Sequence, residues 1–164
     1  MDERELLNIS PIDGRYHSKV AELGQYFSEY ALMKFRIYVE VEYFIAMTEL
    51  PIQQLKDFDS DNRGKLRNIY KKFNVEECQQ IKAIESKINH DVKAVEYFIK
   101  DKFDALGFGK WKEFIHFGLT SQDINNTAIP ISLRDALIDV YAPLLEDLIN
   151  TLSELAIQWT KIPM

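Results

Sequence analysis

The residues best equipped for chemistry lie in Gly118-Leu119-Thr120-Ser121-Gln122-Asp123-Ile124-Asn125-Asn126-Thr127. The stretch is short, polar and dense in side-chain donors and acceptors. Thr120 suits the N-cap of a helix, and Asp123, three residues on, stands where a capping-box acid belongs. A helix is therefore expected to begin here. Helix starts leave backbone N–H groups unpaired and carry partial positive charge, which favours a bound carboxylate or phosphate. The hydroxyls of Thr120 and Ser121 add two donors at the same place. On spacing alone, the string equally describes an ordinary capped helix with polar decoration.

Two other places carry comparable groups. Asn89-His90-Asp91 sits at a second expected helix start, with Asn89 as its cap. A histidine beside a helix N-terminus has its charged form disfavoured, which tunes it for proton chemistry near neutrality. Residues 8–16 read as a loop, with Pro11 and the turn pair Asp13-Gly14, and present Arg15 and Tyr16 side by side. A plain surface turn with one solvated arginine is the alternative there. His17, His90 and His116 show no i, i+3 or i+4 spacing, and no His/Cys cluster has metal-ligand spacing, so no metal is expected.

The elements that must position these residues all read as helices. They are expected over about Ser18–Tyr26, Ser28–Leu50, Ser60–Phe73, then from Asn74 with Glu77 as capping acid to Ile88, and over Asp91–Leu106, which Gly107 stops. In the second helix, Leu32, Phe35, Val39, Phe44 and Met47 form the expected core stripe. Arg63, Arg67 and Lys71 share what should be a solvated face. From Ser121 onward Leu133, Leu137, Val140, Leu144, Leu148, Leu152, Leu155 and Trp159 form a sustained seam, with local kinks expected at Pro130 and Pro143. Roughly forty residues at about 1.5 Å each make an element of about 60 Å, too long for the earlier helices to cover. It needs partners from outside these residues, as in a longer chain or an oligomeric bundle. No strand pattern competes, and the class is all-α.

Bulk composition narrows the function. The chain has 164 residues, enough for one domain with a real core, and is 46% hydrophobic and 28% charged. A net charge of -6 argues against non-specific nucleic-acid binding. The opening Met1-Asp2-Glu3-Arg4-Glu5 has no apolar segment, so no signal peptide is expected, and no apolar run is long enough to span a membrane. Cys78 is the single cysteine, which fits a reducing, cytosolic setting and a packing role.

Three strings carry a resemblance. Ser10-Pro11-Ile12-Asp13-Gly14-Arg15-Tyr16, Asn89 to Phe98 (NHDVKAVEYF) and His116 to Ala128 (HFGLTSQDINNTA), in this order and spacing, closely resemble the bacterial-type adenylosuccinate lyase family of the fumarase/aspartase superfamily. The resemblance spans all 164 residues and matches the front part of that family's chain. It implies an all-helical, cytoplasmic homotetramer built around a bundle of long helices. Residues 1–112 would be the helical N-terminal domain, and 113–164 the start of the central helical-bundle domain. The implied reaction, part of purine nucleotide and AMP biosynthesis, eliminates fumarate from adenylosuccinate to give AMP, and from the related ribotide SAICAR to give AICAR. It needs no metal or organic cofactor and involves neither nucleic acid nor membrane.

The resemblance also assigns roles. It implies that Arg15 and Tyr16 bind the nucleotide. Asn89, His90 and Asp91 line the substrate, with His90 assisting proton transfer or holding a carboxylate. Thr120 and Ser121 hold the succinyl carboxylate. The family's histidine acid, in a Thr-His-Gly-Gln motif, and its serine base, in a mobile loop, are not among these residues. The 164 residues alone are therefore expected to be inactive. Other lyases of the superfamily, such as fumarase or argininosuccinate lyase, share the long helices but lack the opening string. A non-catalytic helical assembly module, in which the strings only cap and pack, is the reading from another class.

Overall fold

The computed structural model describes residues 7–163. The charged opening Met1-Asp2-Glu3-Arg4-Glu5, from which no signal peptide is expected, lies outside the described residues, as does Met164. Among the described residues every regular element is helical, so the all-α class holds. In chain order α1 spans His17–Val20, α2 Gly24–Phe27, α3 Glu29–Met47, α4 Arg63–Lys71, α5 Val75–Ile88, α6 Asp91–Ala105, α7 Ser121–Ala136 and α8 Ala142–Trp159. None of the helices described is long and apolar enough to cross a membrane. The chain divides into two compact units, residues 28–132 and the remainder.

Residues 28–132 hold the aromatic core. Ser28 caps α3 by accepting the Ala31 N–H at 3.1 Å. The buried face of α3 is Met33, Ile37, Val41, Phe44 and Ile45. Of the stripe expected from the sequence only Phe44 and Met47 are buried; Leu32, Phe35 and Val39 are half-buried. The reason is that the deep face also contains Arg36 and Glu40, at 4% and 1% exposure, which a count of apolar residues passes over. Phe44 meets Phe58 and Phe103 edge-on at 5.3 and 4.9 Å. Cys78 packs its sulfur 3.4 Å from that of Met33, and burial pushes its thiol pKa up, as suits an inert packing cysteine.

The flanking helices follow local signals. Asn74 caps α5 through the Glu77 N–H at 2.9 Å, as expected. Gly107, with φ +79°, lies just beyond the end of α6. The basic face of α4 is not simply solvated. Arg63 pairs with Glu49, in the turn just after α3, and Arg67 forks onto both oxygens of Glu42 at 2.8 Å each. The Arg67 fork holds the Glu42 carboxyl below its ordinary pKa, with Tyr70 donating to the same group.

The second unit comprises the residues up to Phe27 and those from Leu133 onward. The helix expected over Ser18–Tyr26 is broken into α1, a 3-10 turn and α2. Neither α1 nor the 3-10 turn has a side-chain cap, and Val20 leaves helical geometry at φ −121°, ψ 8°. The expected long helix runs on through Pro130, but residues 137–141 form a π turn, with the Ala142 N–H bonded five residues back to Leu137. Pro143 follows at once and has no N–H to continue the α ladder. Along the seam, Leu144, Leu148, Leu152 and Trp159 are each more than half exposed, so this apolar face stands open.

Candidate active site

Two helix starts in residues 28–132 carry five of the seven candidate residues. The first is that of α6. Asn89, expected to cap α6, instead closes α5 in left-handed geometry at φ 54°, ψ 40°, a conformation asparagine tolerates well. His90 is the actual cap, and its Nδ1 accepts the Lys93 N–H at 3.1 Å. An accepting Nδ1 carries no proton, so in the neutral ring the proton sits on Nε2. Nε2 has no partner among the described residues and the imidazole is half exposed. Asp91 follows, with Oδ1 accepting the Val92 N–H at 2.8 Å.

The second is that of α7. The helix begins at Ser121, as the string at 118–127 leads one to expect. Asp123 Oδ2 reaches back to accept the Thr120 N–H at 2.7 Å, and the Thr120 hydroxyl donates to the same oxygen at 2.8 Å. These two bonds hold the Asp123 carboxyl below the usual carboxylate range. The reach-back half of the capping box is thus present, while the Thr120 hydroxyl is turned toward the carboxylate instead of a backbone N–H. The Ser121 hydroxyl has no partner among the described residues, which leaves it able to donate.

The two starts are joined through α3. Arg36, a residue that the sequence pattern missed, donates from one terminal nitrogen to Asp91 Oδ2 at 2.7 Å and from Nε to Asn125 Oδ1 at 3.0 Å. Burial alone would raise the Asp91 carboxyl; the Val92 N–H and the Arg36 charge outweigh it and hold it low. One turn further along α3, Glu40 Oε1 lies 2.5 Å from His116 Nδ1. His116 has φ +61° and Gly118 φ +74°, so this contact anchors the bend leading into α7. Burial raises the Glu40 carboxyl, His116 opposes that, and Oε2 is buried without a partner. The signal that could have revealed both residues is a charged i, i+4 pair on the face of a helix otherwise lined with Met33, Ile37 and Val41.

A cavity of about 320 Å³ opens beside the α7 start, lined in part by Tyr38, Glu42, Tyr43 and Asp123. Thr120, Ser121 and His90 are not among its walls. Arg15 and Tyr16 belong to the other compact unit. There Tyr16 N–H bonds to Pro11 O at 2.9 Å and the Asn8 side chain to Asp13 O at 2.8 Å, which ties the loop. The Arg15 guanidinium lies 4.6 Å from the centroid of the Tyr16 ring and donates to the Tyr16 hydroxyl at 2.9 Å. Both side chains are exposed and the arginine fork is open to an anion. Taken by itself, the loop offers a guanidinium suited to phosphate, and the two helix starts of residues 28–132 offer donors for carboxylates and one imidazole. Among the described residues no group of three or more His, Cys, Asp or Glu side chains could hold a metal ion.

Comparison with known proteins gives the same direction. The chain is 50% identical over 166 aligned positions to the adenylosuccinate lyase of Dictyostelium discoideum, covering 97% of this chain and 35% of that protein. It is 41% identical to the adenylosuccinate lyase of Escherichia coli K12, covering 100% and 36%, and 40% identical to that of Haemophilus influenzae Rd, covering 97% and 35%. The chain thus spans about a third of the length of these relatives. A protein-family model described as lyase matches residues 14–164, nearly the whole chain, and the chain therefore belongs to that lyase family.

Proposed function

We propose that these residues are the front part of a carbon–nitrogen lyase that eliminates fumarate from adenylosuccinate, giving AMP, and from SAICAR, giving AICAR. The observation that carries this reading is the pair of helix starts linked by Arg36, one presenting the His90 imidazole and the other the Ser121 hydroxyl. Elimination removes a proton beside a carboxylate, builds negative charge on that carboxylate and protonates the leaving nitrogen. Donors at a helix start are suited to that growing charge.

In this reading Ser121 and the α7 start hold the succinyl carboxylate. Thr120 contributes its hydroxyl only by exchanging Asp123 for substrate. Asn89 and Asp91 line the site, and His90 Nε2 assists proton transfer or donates to a carboxylate. Arg15 and Tyr16 take the nucleotide phosphate. The acid and base come from parts of the enzyme outside these 164 residues. Residues 1–112 are then its first domain and 113–164 the opening of its central bundle. The enzyme is a cytoplasmic homotetramer acting on nucleotides without metal or organic cofactor. The open apolar seam of α8 supports a bundle, since such a face calls for partner helices.

The test is fumarate release from adenylosuccinate by the purified full-length enzyme, followed by ultraviolet absorbance. Turnover in the parent, with kcat lowered about 10²- to 10³-fold in Ser121→Ala and nucleotide binding weakened in Arg15→Lys, both variants still folded, is the expected result. A parent enzyme that releases no fumarate overturns the reading.

A further inference from the structure

We infer that Arg36 is a positioning residue that sets the distance between the His90 imidazole and the Ser121 hydroxyl, touching neither substrate nor reacting atoms. The inference rests on the function proposed above. Arg36 is 4% exposed, and a buried cation is retained only where its partners have good geometry. Its partners lie on two different helices. Asp91 opens α6 beside His90, and Asn125 lies one turn after Ser121 on α7. The guanidinium is planar and rigid, so the two partners are held at a separation set by its covalent frame. A lysine in its place would keep the charge but not the fork.

Slack is removed at both ends. The Asp91 carboxylate is gripped by Arg36 on one oxygen and by the Val92 N–H on the other. His90 is fixed through Nδ1 to the Lys93 N–H, and Thr120 through Asp123. The remaining freedom is the relative placement of the two helix starts, and Arg36 spans it. A misplacement of about 1 Å in such a pair can cost on the order of 100-fold in rate.

The experiment uses the full-length enzyme with Arg36→Lys, Asn125→Ala and the double variant, reading kcat, KM and melting temperature with adenylosuccinate. Asn125→Ala leaves Arg36 on Asp91, so it decides the matter if Arg36→Lys fails to fold. Lys102→Met, which breaks the Glu77 pair elsewhere on α6, is the control for stability loss alone and should keep the parent kcat. Each positioning variant should lose about 10- to 100-fold in kcat well below its melting temperature, with KM changed less than about threefold. The double variant should lose no more than Arg36→Lys, because both changes cut one link. Folded variants with the parent kcat, or losses that multiply in the double variant, overturn the inference and leave the proposed function standing. A parent without fumarate release overturns both.

Discussion

Ser121→Ala removes one hydroxyl and almost no volume, at a position where the proposed role in catalysis can be separated from stability. The Ser121 hydroxyl has no partner among the described residues, whereas Thr120 is committed to Asp123 through its N–H at 2.7 Å and its hydroxyl at 2.8 Å. Ser121 is therefore the side-chain donor that the α7 start offers without first breaking a bond. A donor aimed at developing charge is worth about 10²- to 10³-fold, or about 2.7–4 kcal/mol of barrier. Because the bond tightens as charge builds, the loss should fall on kcat with KM little changed. Melting temperature should stay near that of the parent. Thr120→Ala should lower the melting temperature, because Asp123 keeps the amide but loses the hydroxyl, and activity should fall less than in Ser121→Ala. The assay is steady-state fumarate release by the full-length enzyme beside thermal melting followed by circular dichroism. A Ser121→Ala enzyme that melts early yet turns over at the parent rate would refute the reasoning and make Ser121 structural. The carboxylate would then have to be held by backbone N–H groups of the same turn.

Three further outcomes can be checked. Arg15→Lys keeps the charge but loses the fork and its seat on the Tyr16 ring, so AMP affinity by titration calorimetry should weaken about ten- to a hundredfold, and unchanged affinity would make Arg15 a plain surface residue. Burial raises the Glu40 carboxyl above its ordinary value of 4.5, so the folded state holds that proton more tightly than the unfolded one, and the stability drawn from the site falls as pH rises from about 4.5 through the raised value. Glu40→Gln removes that titration, so its melting temperature relative to the parent should climb with pH across this window, and a flat difference would refute the assignment. The 164 residues expressed alone should release no fumarate, since a missing acid and base are each worth roughly 10²- to 10⁴-fold; turnover near about 10 per second would refute this.

The parts of this fold that were legible in the sequence are those decided within about four residues. Asn74 with Glu77, the start of α7 at Ser121 and the stop at Gly107 each depend on a cap and its own first or last turn. The Asn89-His90 pair was misassigned by one position because two polar residues in a row can share two caps. The left-handed tolerance of asparagine, which favours it as the closing residue, settles which takes which. The break between α1 and α2 was missed because periodicity registers apolar spacing but not the lack of a cap.

The organisation of the candidate site was not legible, and the reason is distance along the chain. Arg36 meets partners 55 and 89 residues away, and Glu40 meets His116 76 residues away. No local pattern can contain such pairs. Yet the two charges stand one turn apart on a face that Met33, Ile37 and Val41 make apolar, and burying an unpaired charge would cost several kcal/mol, on the order of what a whole domain has to spare. Charges at such positions imply partners brought in by other segments, even before those segments are identified. Here one turn of α3 gathers residues 89–91, the bend at His116–Gly118 and the first turns of α7. The apolar stripe of α3 makes the core, and its two charged interruptions fix how the helix starts built on that core face one another.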